Sequence, residues 1–167
     1  VAIMYYIKLF DRFHNALDEI HEFSNLTYTK TLNGVGKCSF KVPLGHPKTT
    51  SDNYTKTNHV EVYKDDNLVW GGYIVQLDFD YPSLTVGAYG YLDIFNHRRL
   101  REKSYSEMKY SKLFQTVFDE LNNRYSLGLT LGYLDTNCLR TQRTVTNEDM
   151  VLEKFLKWCE DSNYYIE

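Results

Sequence analysis

Residues 58–93 constrain this chain more than any other stretch, because their pattern leaves room only for consecutive antiparallel strands. Residues 59–63, 68–79 and 84–92 read as strands, separated by Lys64-Asp65-Asp66-Asn67 and Asp80-Tyr81-Pro82-Ser83. Val60 and Val62, and further on Tyr73, Val75, Leu77 and Phe79, alternate with their neighbours. That is the period-two signature of a sheet with one buried face. Asp and Asn between β-branched runs turn the chain, since their side chains bond the local backbone and tolerate left-handed dihedrals. Trp70-Gly71-Gly72 predicts a bulge or a close approach of another backbone, because a glycine pair otherwise weakens a strand.

The flanking sequence extends the same theme. Residues 4–10 open as a strand, 11–15 turn, and 17–23 form a strand whose alternation covers only part of its length. Residues 26–32 and 37–43 form a hairpin, with Leu26, Tyr28, Lys30 and Leu32 on one face. Asn33-Gly34 between them predicts a type I′ turn, which needs two residues at positive φ. Pro43 ends the pairing, having no amide hydrogen to donate, and residues 45–57 read as a polar loop. Several short strands with turn signals between them predict a closed barrel or sandwich.

After Asp93 the period changes to that of a helix. Leu113, Phe114, Val117, Phe118 and Leu121 form an apolar stripe, with Ser111 as N-cap and Gly128 just past the end. Short strands are expected at 130–133 and 143–145. Thr146-x-x-Asp149 resembles a capping box for a second helix that buries Val151, Leu152, Phe155, Leu156 and Cys159. Residues 163–167 begin another strand with no partner to follow, and Val1-Ala2-Ile3 looks like an arbitrary start. The expectation is the front part of a longer polypeptide. Its fold class is β-rich α+β: an antiparallel β-barrel over residues 1–103, and over 104–167 the start of a helix-containing second domain, cut short.

Composition excludes several classes. A hydrophobic fraction of 43% with 25% charged residues argues against disorder. A formal net charge of −3 supplies no global field for nucleic acid or anionic lipid. No apolar run is long enough to span a bilayer and no signal-peptide pattern occurs, so membrane insertion by this segment is not expected. Cys38, Cys138 and Cys159 are far apart and lack Cys-x-x-Cys pairing, which predicts free thiols rather than a disulfide framework or a zinc site.

The residues that carry chemistry elsewhere are not in working patterns here. His14, His21, His46, His59 and His97 have no metal-ligand spacing, and His59 reads as a surface histidine at a strand start. There is no nucleophile elbow and no phosphate loop, and Gly34-Val35-Gly36 lies in a hairpin, the wrong context for a dinucleotide fingerprint. Asp78 and Asp80 share a strand face as a glycosidase pair would, yet at the end of a ribbon they are expected to be merely solvated. Asp65-Asp66-Asn67 lacks the further oxygens of a calcium loop. No catalytic, cofactor-binding or metal-ligating residue is assigned, no cofactor is expected, and the chain is not read as an enzyme. One charge cluster stands out: Arg98, Arg99 and Arg101, with Lys103. It either contacts phosphates of a nucleic acid or lines its passage, or it is a solvated connector paired with nearby carboxylates.

The order of motifs carries a resemblance. Phe40-Lys41-Val42-Pro43-Leu44, then His59-Val60-Glu61-Val62-Tyr63, Leu68-Val69-Trp70-Gly71-Gly72-Tyr73-Ile74, Leu84-Thr85-Val86, Gly90-Tyr91-Leu92 and Arg98-Arg99-Leu100 follow one another, and Arg143-Thr144-Val145-Thr146 precedes a helix. This succession resembles the N-terminal region of tail-tip or baseplate hub proteins of long-tailed phages, related to contractile-tail hubs and type VI spike hubs. The resemblance implies a tail-tube-like barrel that joins copies of itself, as a homotrimer, into a ring closing the tail tube around the DNA channel. It implies neighbouring tail-tube and distal tail proteins as partners, and a place at the virion tail tip after assembly in the host cytoplasm. The pattern over 17–23 and the short end depart from the family. The alternative is a β-barrel binding module that recognises carbohydrate or single-stranded nucleic acid through its 15 tyrosines and the basic segment.

Overall fold

The computed structural model describes residues 4–132, 140–145 and 149–162, the 140–145 stretch by its backbone alone. The chain divides into two compact units, residues 1–31 with 35–93 and residues 32–34 with 94–167.

The first unit is one antiparallel sheet of seven strands: β1 (Tyr5–Phe10), β2 (Ala16–Ile20), β3 (Ser24–Thr29), β4 (Lys37–Pro43), β5 (His59–Lys64), β6 (Asn67–Asp80) and β7 (Ser83–Gly90). Their hydrogen-bonded order is β2-β1-β5-β6-β7-β4-β3. One core takes side chains from the whole sheet, including Ile20 of β2, Leu9 of β1, Val60 of β5, Ile74 of β6, Val86 of β7 and Phe40 of β4, while Leu26 and Tyr28 of β3 pack against it. A sheet whose outermost strands feed the same core must roll up on itself. One bond across the roll agrees with this: the Trp70 indole N–H donates to the Thr29 carbonyl at 3.2 Å, linking β6 to β3. Tyr5 of β1 and Tyr28 of β3 pack against the same core. The expected β-rich α+β class with its antiparallel barrel is what forms.

Two local expectations are corrected. Tyr73, Val75, Leu77 and Phe79 do not make one continuous buried face: Trp70, Gly72 and Ile74 are the buried positions, and a register shift between Ile74 and Gln76 then brings Leu77 opposite Val86. Register shifts flank the glycine pair, the other skipping Val69 against β5. The close approach is at Gly72 itself, where an added Cβ would lie 2.1 Å from the Tyr89 carbonyl oxygen. The Asn33-Gly34 turn is not a two-residue type I′ turn, because Thr29 pairs with Lys37 across a longer loop, in which Asn33 has φ 53 and Gly34 is not at positive φ. Gly36 is the glycine that loop requires, since a Cβ there would meet the Thr29 carbonyl oxygen at 2.5 Å.

A 3₁₀ segment (Tyr91–His97) follows β7 where the strand was expected to run on to Leu92. In the second unit, β8 (Lys103–Lys109) pairs antiparallel with β9 (Arg140–Val145), and the helices are α1 (Tyr110–Tyr125) and α2 (Val151–Ser162). The expected strand at 143–145 is the end of β9, whereas residues 130–132 form none. Ser111 is not the N-cap of α1: Lys109 holds that place without a side-chain cap, and Ser111 is buried in the first turn. The apolar stripe of α1 is as expected; in α2, Val151, Leu152, Phe155 and Cys159 are buried as expected, but Leu156 is only half-buried and Trp158 is buried as well. Phe95, Phe114, Phe155 and Trp158 pack ring against ring at 5.1–5.7 Å. Thr146 of the expected capping box, Cys138, Tyr133, residues 163–167 and Val1-Ala2-Ile3 lie outside the described residues.

Candidate functional site

Three places in the fold offer something beyond a core. The first is an open strand edge. β6 outruns β5: the β5–β6 ladder stops at His59 and Tyr73, and the backbone of Ile74 is completed by Thr57 and Asn58. Among the described residues, the backbone of 76–80 pairs only with β7, leaving its other side open. Asp78 and Asp80 are exposed on this stretch, and the large aromatics Phe79 and Tyr81 are 71% and 88% exposed. At the far end of the same four-strand face, β6-β7-β4-β3, strand β3 has an open outer edge. Between the two edges the face forms an open groove of about 280 Å³, lined by Thr27, Lys37, Gln76, Asp78, Thr85 and Tyr89 among others.

The second is the basic segment of the second unit. Its backbone is tied to α2 and the residues before it: Val151 N–H donates to the Arg98 carbonyl at 3.1 Å and Leu100 N–H to the Asp149 carbonyl at 3.0 Å. Arg98 is half-buried, with its guanidinium 4.8 Å from the centre of the Tyr125 ring, while Arg99 and Arg101 are exposed. The three arginines therefore do not converge: one lies over an aromatic ring and two extend into solvent. Arg124 approaches the same ring at 5.6 Å, donates to the Arg99 carbonyl and is ion-paired with Glu120, which Lys103 also meets at 3.4 Å. Sequence reading missed Arg124 and Tyr125. Their only signal is that they end a helix, one turn past the buried Leu121.

The third is a polar cluster on the outer face of β5. His59 is buried, contrary to the surface position expected of it, and so is Glu61. Both lie on the outer face because alternate residues Val60 and Val62 fill the core, and they are covered by the β1–β2 turn and by Tyr91. His59 Nδ1 lies 3.0 Å from the Tyr91 hydroxyl, and His14 Nε2 lies 3.3 Å from Glu61 Oε1. Tyr63 donates to Glu61 Oε2 at 2.7 Å, and burial together with that bond pushes the Tyr63 hydroxyl up to about 12. Burial lowers the His59 pKa, helped by the facing His14 and opposed by a bond to the Arg12 backbone and by Glu61 and Asp11. Among the described residues no group of three His, Cys, Asp or Glu side chains is placed to hold a metal ion, and no helix is long and apolar enough to cross a membrane.

Comparison with solved structures adds the decisive observation. Prophage tail protein gp18 from Listeria monocytogenes EGD-e superposes with a TM-score of 0.66 over 93% of this chain, at 16% identity. The chain shares the fold of this prophage tail protein. The Francisella PdpA–VgrG complex superposes with a TM-score of 0.52 over 95% of the chain in its lidded form, at 12% identity. In the lidless form of a PdpA–VgrG complex the values are 0.51, 92% and 12%. The chain spans 45% of the length of gp18, and 25% and 30% of the two PdpA–VgrG chains. No protein-family model matches the sequence, and no curated protein matches it.

Proposed function

We propose that this chain is a structural, non-catalytic part of a phage tail tip or baseplate hub, whose barrel joins copies of itself into a trimeric ring closing the tail tube around the DNA channel. The observation that carries this reading is the superposition on a prophage tail protein across nearly the whole chain. Neighbouring tail-tube and distal tail proteins are the other partners, and the virion tail tip is the location.

The open edges support it. Strands alternate in direction along β6-β7-β4-β3, so β6 and β3 of one copy run opposite ways. A second copy, rotated about an axis along the strands, would offer its β3 edge antiparallel to the open part of β6. Such a contact is heterologous and closes only by rotation. It also uses an edge that is otherwise an aggregation hazard. Charge favours the same pairing: Asp78 and Asp80 flank one edge, while Lys30 follows β3 and Lys37 and Lys41 pair opposite it. The open edge of β2 carries Asp18 and Glu19 instead. Arg99 and Arg101 are the residues we assign to phosphate contacts along the DNA path, with Arg98 as the ring-stacked support.

Asp78→Lys/Asp80→Lys tests the pairing by sedimentation velocity. Assembly is expected to weaken at least tenfold, about 1.4 kcal/mol, and Lys30→Glu/Lys37→Glu in the same chain is expected to restore it. Assembly unchanged by the first pair of changes would overturn the edge assignment. A chain that stays monomeric and binds oligonucleotides in a salt-sensitive manner, lost with Arg99→Ala/Arg101→Ala, would favour a binding module instead.

A further inference from the structure

The polar cluster on β5 is not needed to hold the barrel, whose core lies on the opposite face of the strand, and the ring reading makes no use of it. Its geometry is that of a latch. The turn between β1 and β2 is self-contained: Asp11 Oδ1 accepts the backbone N–H groups of Phe13 and Asn15 at 2.8 Å, and Oδ2 accepts the Asn15 side-chain amide at 2.9 Å. The turn docks on the sheet through three contacts, all made by His14. Its Nε2 reaches Glu61, its ring stacks on Phe10 at 4.4 Å, and it meets the buried His59 ring edge-on. His14 stands at φ 66, in the left-handed region that His enters more readily than most non-glycine residues.

The two imidazoles face each other edge-on with their centres 5.2 Å apart. The other groups around His59 are Glu61 on its own strand, Asp11 in the turn, Tyr73 opposite it on β6, and Tyr91 and Asp93 from the 3₁₀ segment, with Tyr73 donating to Asp93. Neutral His59 is hydrogen-bonded there, with the Tyr91 hydroxyl on Nδ1. A proton added to it must be housed in a buried site, with the His14 ring packed edge-on against it.

We propose that the 11–15 turn is an acid-released latch, which detaches from the outer face of β5 when the buried His59 is protonated. Release uncovers the Glu61 carboxylate, so this face changes its chemistry with pH while the core beneath it stays closed. The sign follows from the environment. His59 is held below its ordinary value, so the folded latch binds fewer protons than the open one. Docking is therefore complete above about pH 6.5, and is lost as the pH falls from there through the lowered folded value.

The test uses the full chain, uniformly ¹⁵N-labelled, titrated from neutral pH into acid. Imidazole nitrogen shifts report each histidine, and amide exchange, corrected for its intrinsic pH dependence, reports the backbone at Phe13, His14 and Asn15. The expected result is exchange at those amides rising at least tenfold with the His59 titration, while Val60 and Val62 keep their protection. His14→Gln keeps a hydrogen-bonding group beside Glu61 and removes the neighbour that disfavours a charge on His59, so the opening midpoint is expected to move to lower pH. His59→Gln is expected to make exchange in the turn independent of pH. Exchange in the turn unchanged while His59 titrates, or a midpoint unmoved by His14→Gln, would overturn the latch. Neither result bears on ring assembly, which is measured separately.

Discussion

Replacing Gly72 by Ala should strike the barrel at its tightest point. An added Cβ would lie 2.1 Å from the Tyr89 carbonyl oxygen, 2.8 Å from the Tyr89 carbonyl carbon and 2.5 Å from the Trp70 ring. Carbon atoms in contact prefer roughly 3.5–4.0 Å, so β6 must move away from β7 by on the order of 1 Å. Two of the atoms are backbone, and no flexible side chain can yield in their place. The displacement strains the Gly72–Gly90 and Tyr73–Tyr89 pairs. Losing two ladder hydrogen bonds costs about 1 kcal/mol each, and overpacking adds about 1–3 kcal/mol, which gives about 3–5 kcal/mol in all. With a urea slope of about 1–3 kcal/mol/M, the midpoint should fall by roughly 1 M or more. Fluorescence of Trp70, which is buried two residues away, reports the transition of the first unit. Gly45→Ala is the control, because a Cβ there meets nothing within 4 Å. It should change stability by no more than about 0.5 kcal/mol. Equal midpoints for the two variants would refute the packing argument.

Two further predictions concern titratable groups. Asp18 is raised by burial, but the Lys48 ammonium at 2.8 Å, with help from the Glu19 backbone and Asn53, wins and holds its carboxyl below 3.8. The resulting stability is present above pH 3.8 and lost as the pH falls through the lower folded value. Lys48→Met should therefore flatten the acid limb of a stability–pH curve by at most about 1 kcal/mol, given solvent screening; an unchanged limb would contradict the pairing. Burial pushes the thiols of Cys38 and Cys159 up to about 12 and about 11. Peptide mapping after alkylation at pH 8 should find both at least tenfold slower in the native chain than in urea, and native rates equal to those in urea would contradict their burial.

The succession of strands was readable because most turns carry Asp, Asn, Gly or Pro, and those signals are local; the β1–β5 and β4–β7 pairings are long-range and were not. The inside and outside of β6 were not readable beyond Ile74. A bulge adds one residue to the period, and nothing in Val75-Gln76 marks it. Asn33-Gly34 misled for a related reason: the dipeptide suits a tight turn, but the register is set by Gly36, whose place is fixed by the backbone of Thr29. β8 was missed because only Tyr105 along it is deeply buried, so it lacks the apolar alternation that marks a strand.

The candidate sites were legible in proportion to how local they are. Arg98, Arg99 and Arg101 stand out as a run, yet their separation into one ring-stacked and two solvent-facing side chains depends on Tyr125, far along the chain. His59 could not be recognised as buried, because its cover comes from the 11–15 turn and from Tyr91, more than thirty residues away on either side. Open edges are harder still, since an edge is defined by the partner a strand does not have. That β6 outruns β5 becomes visible only once the register is known.

The central claim is that this barrel exists to be joined to copies of itself. The most direct test is native mass spectrometry of the wild-type chain, with sedimentation equilibrium over a range of concentrations. A closed trimer at three times the 19.7 kDa chain mass is the expected result. A single 19.7 kDa species at every concentration would contradict it.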